Sequence, residues 1–438
     1  MPRFTNRCEK LRNLLSRFFE GESRRQLMIS ISALAGAGMI SLALRLVGSI
    51  IQGRFVGPDI LGYYSKFTIL PGFLFFLHMG IFESLARQYP YYLGNGDHET
   101  ALSFAANALG WTYIICAVHA VIFFIPCVCA AIQGDWFASL GWGVQIIITN
   151  ISLYMFYLGC TYRNSSEFVN WSKAQVISAI FSLIFLPLVA FYNFVGICAR
   201  YSLPNLISML YAHLKRPLKI RSRFERTVLL RMMAYGMPLM VFAYMYSNLW
   251  VAIERTYILK MGGETTLGVF AYAVTLCAAL LAISRSISQV FNPRLAMLYG
   301  SSGENMAVCF RYCIKCGVVG LVIMLPLVIF AYWLVDPLIR WLLPKYIASI
   351  PIARYLFWLS LIPVIDLSKQ LLMVANHTRQ IGFAVVVSFV SFLILLAIFA
   401  FYDKHLSLQK IVIASVSCKL ISVFICNVFA WRGARLKI

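Results

Sequence analysis

The chain alternates long apolar runs with short polar connections, and this pattern narrows the folds open to it. A helix that crosses a bilayer needs about 20 consecutive, mostly apolar residues. Twelve runs approach or exceed that length, and they cover residues 27–52, 61–85, 101–132, 137–161, 174–194, 196–214, 229–259, 266–291, 312–335, 350–374, 381–402 and 411–431. The pattern predicts an all-α polytopic membrane protein of about 12 transmembrane helices.

The composition agrees with a membrane protein, since 61% of the residues are hydrophobic and only 12% are charged. Soluble domains carry about 25% charged residues. The formal net charge of +22 would suggest nucleic acid for a soluble protein. In a membrane chain it indicates anionic lipids and cytoplasmic loops, so anionic membrane lipids are predicted partners and nucleic acid is not.

The basic residues also orient the chain, because cytoplasmic loops are enriched in Lys and Arg. With a cytoplasmic N-terminus, the inner segments hold 22 basic residues and the outer segments hold 6. Both termini are therefore expected in the cytoplasm. The densest basic loop, 215–228, falls midway and is interpreted as a cytoplasmic linker.

This linker divides the chain into five predicted segments. They are a basic amphipathic segment at 1–26, an N-terminal six-helix bundle at 27–214, the linker at 215–228, a C-terminal six-helix bundle at 229–431 and a basic cytoplasmic tail at 432–438. In the first segment, apolar residues at positions 11, 14, 15, 18 and 19 form one helical face, which favours a helix on the inner membrane surface.

An internal repeat relates the two bundles at a constant offset of 206 residues. Gly57 corresponds to Gly263 and Gly62 to Gly268, within VGPDILGYYS and GGETTLGVFA. The same offset aligns GNGDHETA from position 94 with GSSGENMA from position 300. Because matches recur in two loops without a gap, the halves are predicted to share one topology, as a parallel repeat about an axis normal to the membrane.

Several stretches resemble the polysaccharide transporter family, the flippases of lipid-linked oligosaccharides within the multidrug/oligosaccharidyl-lipid/polysaccharide exporter superfamily. They are RLVGSIIQGRFVGPDILGYYSKF from position 45, GIFESLARQYPYYLGNGDHETA from 80, AYGMPLMVFAYMYSNLWVAIERTYIL from 234, SQVFNPRLAMLYG from 288 and LLPKYIASIPIARYL from 342. The O-antigen flippases are the most similar in length. The resemblance depends on the order of five weak motifs rather than on one sharp signature.

The resemblance implies two six-helix bundles around a central cavity that opens alternately to each side. It also implies transport of an undecaprenyl-diphosphate-linked oligosaccharide from the cytoplasmic to the periplasmic leaflet of the bacterial inner membrane, for lipopolysaccharide synthesis. Its expected partners are that lipid-linked oligosaccharide, a glycan polymerase and chain-length proteins.

Charged residues inside the predicted spans supply the candidate site. Ten are basic and three are acidic, and a charge at membrane depth usually faces a cavity or a partner. Arg200, Arg231, Lys315 and Arg354 lie near predicted span ends, where long side chains can reach the headgroups. The residues predicted to line a cationic substrate cavity are Arg45, Lys66, Arg255, Arg285 and Lys419.

The three acids are candidates for coupling to a proton or sodium gradient, or are static partners of nearby cations. They are Glu83, Glu254 and Asp366. The chain contains no G-x4-G-K-[ST] pattern, so no nucleotide cofactor is predicted. Cys309, Cys313 and Cys316 share a helix face but have no histidine nearby, so helix packing is favoured over a metal site.

Two other functions fit a polytopic chain. An ion-coupled exporter of small molecules or drugs on the same fold is the alternative, although cationic drugs would favour acids in the cavity. A membrane-embedded glycosyltransferase usually needs a large outer loop, and the longest outer gap here is about fourteen residues. The protein is therefore predicted not to be an enzyme.

Overall fold

The computed structural model describes residues 24–165, 167–402 and 407–435, and every regular element in those ranges is helical. The α-helices are α1 (Arg24–Phe55), α2 (Pro58–Phe67), α3 (Ile69–Leu74), α4 (Ile81–Gly94), α5 (His98–Ile132), α6 (Trp136–Asn164), α7 (Phe168–Ile184), α8 (Leu186–Leu214), α9 (Arg226–Tyr244), α10 (Trp250–Ser301), α11 (Met306–Leu342), α12 (Ile350–Phe357), α13 (Ile362–Ile365), α14 (Leu367–Val374), α15 (Thr378–Tyr402) and α16 (Leu408–Arg435). Most of the predicted amphipathic segment at 1–26 lies outside the described residues.

The described helices include ten segments that are long and apolar enough to cross a membrane, against about twelve predicted. One of the ten, Arg226–Ser288, contains 63 residues, which is enough for two crossings. The backbone leaves the helical conformation inside it at Gly263, with φ 70° and ψ −173°. Phe168–Ile184 is a shorter apolar helix and falls outside the ten.

The chain reverses direction at Asn193, between the predicted fifth and sixth spans, where φ is 45° and ψ is −109°. A Cβ on Gly196 would overlap the Leu188 carbonyl. Ser208 Oγ donates to the Ala174 carbonyl at 2.7 Å. The chain after Asn193 therefore runs back along the chain before it.

The predicted fifth span, 174–194, contains one further interruption, because α7 ends at Ile184 and α8 begins at Leu186. Pro187 lies in the first turn of α8, where a missing N–H costs nothing because that group has no helical partner.

The repeat is visible as a reciprocal contact between α2 and the second leg of α10. A Cβ on Gly62 would overlap the Glu264 carbonyl and lie 2.9 Å from the nitrogen of Gly268. A Cβ on Gly268 would overlap the Pro58 carbonyl and lie 2.8 Å from the nitrogen of Gly62. Adding 206 to the numbers of Pro58 and Gly62 gives Glu264 and Gly268, so the repeat relates one contact to the other. An approximate two-fold axis therefore passes between them. We call this contact the glycine crossing.

The segment between the halves is attached to the first half. Residues 215–225 lie between α8 and α9 outside any helix. The Arg223 N–H donates to the Ala106 carbonyl at 3.1 Å, and the Glu225 N–H donates to Asn107 Oδ1 at 2.6 Å. Asn107 is fully buried in α5.

The predicted limits of the bundles and tail stay predictions, because the fold alone does not delimit them.

Candidate functional site

A chamber of about 530 Å³ lies inside the second half. Its walls come from the Met245–Leu249 turn, from α10, from α12 to α14 with their connections, and from α16. The described residues that line it include two acids and three bases: Glu254, Arg285, Asp366, Lys369 and Lys419. We call this cavity the chamber. Its wall carries one net positive charge when all five groups are ionised.

Two irregular backbone segments aim side chains into the chamber. The Met245–Leu249 turn is a π-helix between α9 and α10, and Tyr246 and Ser247 face the chamber from it. Such wide turns often occur at functional sites. The second segment is the break at Asp366, where α13 ends and α14 begins. Both irregularities therefore place polar groups at a depth where regular helices would present apolar ones.

Lys419 and Glu254 form one charged side of the chamber. The Lys419 ammonium lies 5.3 Å from the centroid of the Trp250 ring, and the Trp250 indole N–H donates to Ser415 Oγ at 2.9 Å. Glu254 is 3% exposed and lies beside Ser415 and Lys419. Its Oε1 atom has no hydrogen-bond partner in the described part of the chain. Glu254 therefore retains an unused acceptor beside a cation.

Asp366 and Lys369 form the other charged side. The Lys369 ammonium lies 4.6 Å from the centroid of the Tyr246 ring, which is within the range of a cation–π contact. The Lys369 N–H donates to the Asp366 carbonyl at 3.1 Å. Asp366 Oδ1 has no hydrogen-bond partner among the described residues. Each chamber acid thus has a cation nearby and an oxygen that can accept a proton or ligand.

A smaller cavity of about 260 Å³ lies between α1, α7 and α8 of the first half and α10 of the second. Arg45 and Arg200 line it, with Ser178, Tyr201 and Asn205. The Arg45 guanidinium donates to Ser178 Oγ at 2.9 Å, and Arg200 Nε donates to the Ser182 carbonyl at 3.2 Å. We call this cavity the niche. Ala278 lines both the niche and the chamber, so the two cavities are neighbours.

Two predicted cavity cations contact the opposite half of the protein instead of lining either cavity. Lys66 forms an ion pair with Glu264, with Nζ and Oε1 2.7 Å apart. Arg255 is half-buried and donates to Thr68 Oγ1 at 2.9 Å. Both contacts join α10 to the α2–α3 region near the glycine crossing. The substrate-binding role predicted for these two residues stays a prediction.

Glu83, the remaining candidate for ion coupling, lies away from both cavities. It faces His78, whose Nε2 is 3.3 Å from Glu83 Oε1. His78 is fully buried, and the residues that follow it, Met79 and Gly80, have φ values of 47° and 72°. Met79 and Gly80, both in the left-handed conformation, separate the short 3-10 helix that ends at His78 from α4. This turn places His78 beside Glu83.

The structure adds residues that the sequence did not single out. Arg200 was expected to reach the headgroups from a span end, but its side chain is only 3% exposed and its Nε donates to the Ser182 carbonyl at 3.2 Å. The sequence could not show that Arg200 packs against Ser182 of α7 and Gly48 of α1.

Lys369 falls within the predicted span 350–374 but was not among the predicted site residues. Glu264 was not counted among the intramembrane acids, because it lies between the predicted spans 229–259 and 266–291.

No family model and no curated protein sequence matches the chain. Solved structures do match it. An inward-facing multidrug resistance MATE family transporter of the MOP superfamily superposes with a TM-score of 0.71 at 14% identity, covering 94% of this chain and 99% of that one. An outward-facing transporter of the same description gives 0.62 at 15% identity, covering 93% and 96%.

A third similar structure is a MOP superfamily transporter from Pyrococcus furiosus Vc1, described as having a binding pocket of reverse polarity that suggests a different function. Its TM-score is 0.63 at 15% identity, with 93% of this chain and 96% of that chain covered. These comparisons show that the chain has the fold of the MATE transporters, with its internal repeat. The protein is thus a polytopic membrane protein of transporter fold.

Proposed function

We propose that the protein is an ion-coupled exporter of small organic molecules that works by alternating access. The observation that carries the proposal is the charged chamber at membrane depth in a MATE transporter fold. Its volume of about 530 Å³ lies within the range of roughly 300–1,000 Å³ of small-molecule sites. The similarity to inward-facing and outward-facing transporters supports alternating access.

The charges of the two cavities favour anionic cargo. The chamber holds three bases and two acids, and the niche holds two arginines with no acid among its described lining residues. Cations at this depth are costly unless they face water or a partner. An anionic substrate would supply that partner, and the aromatic rings of Tyr246 and Phe270 would pack against its apolar part. The similarity to the Pyrococcus transporter, whose binding pocket is described as reversed in polarity, is consistent with this preference.

Asp366 and Glu254 are the proposed coupling acids. Each lies in the chamber wall and keeps one buried oxygen without a hydrogen-bond partner in the described chain. A carboxylate beside a lysine can exchange a proton when the lysine instead contacts an anionic substrate. Binding of cargo and binding of a proton would then depend on the same two side chains.

The proposal is tested by transport in proteoliposomes with an imposed pH gradient. A fluorescent carboxylate dye should be transported faster than the cationic dye ethidium. Lys369→Gln combined with Lys419→Gln should reduce anion transport at least about tenfold, because charge-assisted hydrogen bonds contribute roughly 1.5–3 kcal/mol each. The control is Lys315→Gln, an exposed lysine of α11 that lines neither cavity.

The coupling role has its own measurement. Asp366→Asn and Glu254→Gln should abolish transport driven by the pH gradient but preserve exchange of dye across the membrane without a gradient. Preferential transport of ethidium, or equal anion transport by the double variant and the Lys315→Gln control, would contradict the anionic cargo. Gradient-driven transport at the wild-type rate in both acid variants would contradict the coupling role.

A flippase for a diphosphate-linked oligosaccharide is the second candidate. The excess of bases over acids favours it, since a diphosphate is a strong anion and Arg matches phosphate geometry. The comparisons favour the exporter, and the chamber has the size of a small-molecule site. Deletion of the gene separates the two: accumulation of a lipid-linked oligosaccharide in the cytoplasmic leaflet would support the flippase, whereas unchanged surface glycan would exclude it.

A further inference from the structure

We infer that Arg45 and Arg200 form a binding site for a phosphate or diphosphate group in the niche. The inference deepens the proposed function by naming the charged group that the first half would hold, and it rests on that function only for the role in transport. The site is distinct from the chamber, because none of the five charged chamber residues lines the niche.

The first argument is the lack of compensating charge. No acid occurs among the described residues that line the niche, and neither arginine has an ion pair among the salt bridges of the described chain. Arg45 lies inside α1, ten residues before the helix ends at Phe55. Two guanidiniums that share a cavity at this depth repel one another. A bound anion would remove this repulsion and satisfy both charges.

The second argument is an unused donor that is almost completely buried. Arg200 is 3% exposed, and its Nη1 has no hydrogen-bond partner in the described structure. Its Nε is already bonded to the Ser182 carbonyl. A buried donor without a partner is costly, and a charged donor more so. A phosphate oxygen in the niche would supply the missing acceptor, and the flat guanidinium can donate two parallel hydrogen bonds to it.

The third argument is the way α1 accommodates Arg200. A Cβ on Gly48 would lie 2.6 Å from Nη2 of Arg200, so the guanidinium rests directly on the backbone of α1. Gly48 follows Arg45 by three residues, which places both on one helical face. The absence of a side chain at position 48 therefore lets the two guanidiniums approach the same space from different helices.

The fourth argument is the size and polarity of the niche. Its volume of about 260 Å³ is below the range of roughly 300–1,000 Å³ for drug-sized ligands, so it suits a charged group better than a whole organic molecule. Ser178 and Asn205 offer a hydroxyl and an amide in the same wall. Arg45 is exposed, which leaves a route by which an anion can enter.

The test is direct binding of inorganic pyrophosphate, measured by calorimetry on the full chain in nanodiscs of uncharged phosphatidylcholine. The wild type should bind it. Arg200→Gln should weaken binding at least about tenfold, because it removes two charge-assisted hydrogen bonds, and Arg200→Lys should recover part of the loss. Arg311→Gln, which removes an exposed arginine of α11, is the matched control and should bind like the wild type.

A second variant distinguishes loss of the phosphate site from misfolding of the protein. Gly48→Ala keeps both charges and displaces the Arg200 guanidinium, so it should weaken pyrophosphate binding while the protein still elutes as a monodisperse species. Wild-type protein that does not bind pyrophosphate in phosphatidylcholine, or equal affinity of the Arg200→Gln and Arg311→Gln proteins, would overturn the inference. Because the readout is binding, a failure of dye transport by the chamber leaves it unaffected.

The source of the phosphate is separated by lipid composition, once the wild type has been shown to bind pyrophosphate. At an ionic strength that screens the surface charge, replacing phosphatidylcholine by phosphatidylglycerol should weaken pyrophosphate binding to the wild type if the niche accepts the headgroup phosphate of an anionic lipid. Unchanged affinity in both lipids would assign the niche to a soluble phosphate compound. Either result supports the site and names its ligand.

Discussion

At the scale of residues, the partner of an intramembrane charge determines whether its side chain lines a cavity or forms an ion pair. Lys66 was predicted to face a cavity, yet its ammonium lies 2.7 Å from Glu264 Oε1 and 3.6 Å from the centroid of the Tyr63 ring. Arg354 likewise pairs with Asp336, at 3.3 Å. Neither acid falls within a predicted span, so the excess of positive charge at membrane depth is smaller than the sequence suggested.

The Lys66–Glu264 pair gives a prediction at this scale. Lys66→Glu should lower thermal stability, because it places two negative charges together near the glycine crossing. The double variant Lys66→Glu with Glu264→Lys should restore most of the loss. The two side chains are 25% and 40% exposed, so water screens the attraction and the coupling should be about 1 kcal/mol or less.

The measurement is a double-mutant cycle on melting temperatures in detergent. Lys260→Glu is the control, because Lys260 is an exposed residue of the same helix as Glu264. Additive effects of the two exchanges would show that the ion pair contributes nothing to the contact between the halves.

At the scale of elements, the structure shows why glycine occurs at the repeated positions, which the sequence alone left open. Gly62 and Gly268 are matched by the repeat, and neither adopts the positive φ that a tight turn would require. They instead allow two helices to approach until their backbones touch. Glycine is required here for its lack of a side chain rather than for its backbone freedom.

Substituting these glycines should separate α2 from α10. Gly62→Ala or Gly268→Ala should destabilise the protein by about 1–3 kcal/mol, because the added methyl overlaps a carbonyl of the opposite half. Gly94→Ala and Gly300→Ala are the matched controls, since the same offset of 206 relates them and a Cβ at either meets no atom within 4 Å.

Thermal unfolding checks this prediction. The control variants should melt at or slightly above the wild-type temperature, since alanine favours a helix more than glycine does. If Gly62→Ala and Gly268→Ala melted at the same temperature as the controls, the close approach of α2 and α10 would not contribute to stability.

For the whole molecule, the glycine crossing joins the two halves at one end, where Arg255 and Thr68 also form a hydrogen bond between them. The proposed alternating access would require the halves to separate at each end in turn. The crossing is therefore the expected point of separation when the cavities open towards that end. The niche lies at the contact between the same halves, so its shape should change with this movement.

Chemical cross-linking tests this movement. In a protein with Lys66→Cys and Glu264→Cys and with its native cysteines replaced, a short bifunctional thiosulfonate should join the halves and stop dye transport. Reduction should restore transport. The single variants, treated identically, are the controls, and undiminished transport by the cross-linked protein would show that this end stays closed throughout the cycle.

The sequence by itself determined the fold class, the repeat and its offset, and most of the charged residues that line the cavities. These features depend on apolar run length and on spacing along one chain, both of which can be read directly. Arg45, Arg285, Lys419, Glu254 and Asp366 were all identified this way, since a charge inside an apolar run is costly wherever it points.

The tertiary structure alone decided which of those charges are compensated and which share a cavity. Lys66 and Arg255 contact the opposite half, whereas Arg200 lies beside Arg45, because the chain reverses at Asn193 and packs the rest of α8 against α7 and α1. The helix irregularities at Asp366 and at the Met245–Leu249 turn were also not predicted from the sequence. Burial and pairing depend on residues that are distant in sequence, and a hydropathy pattern contains no information about them.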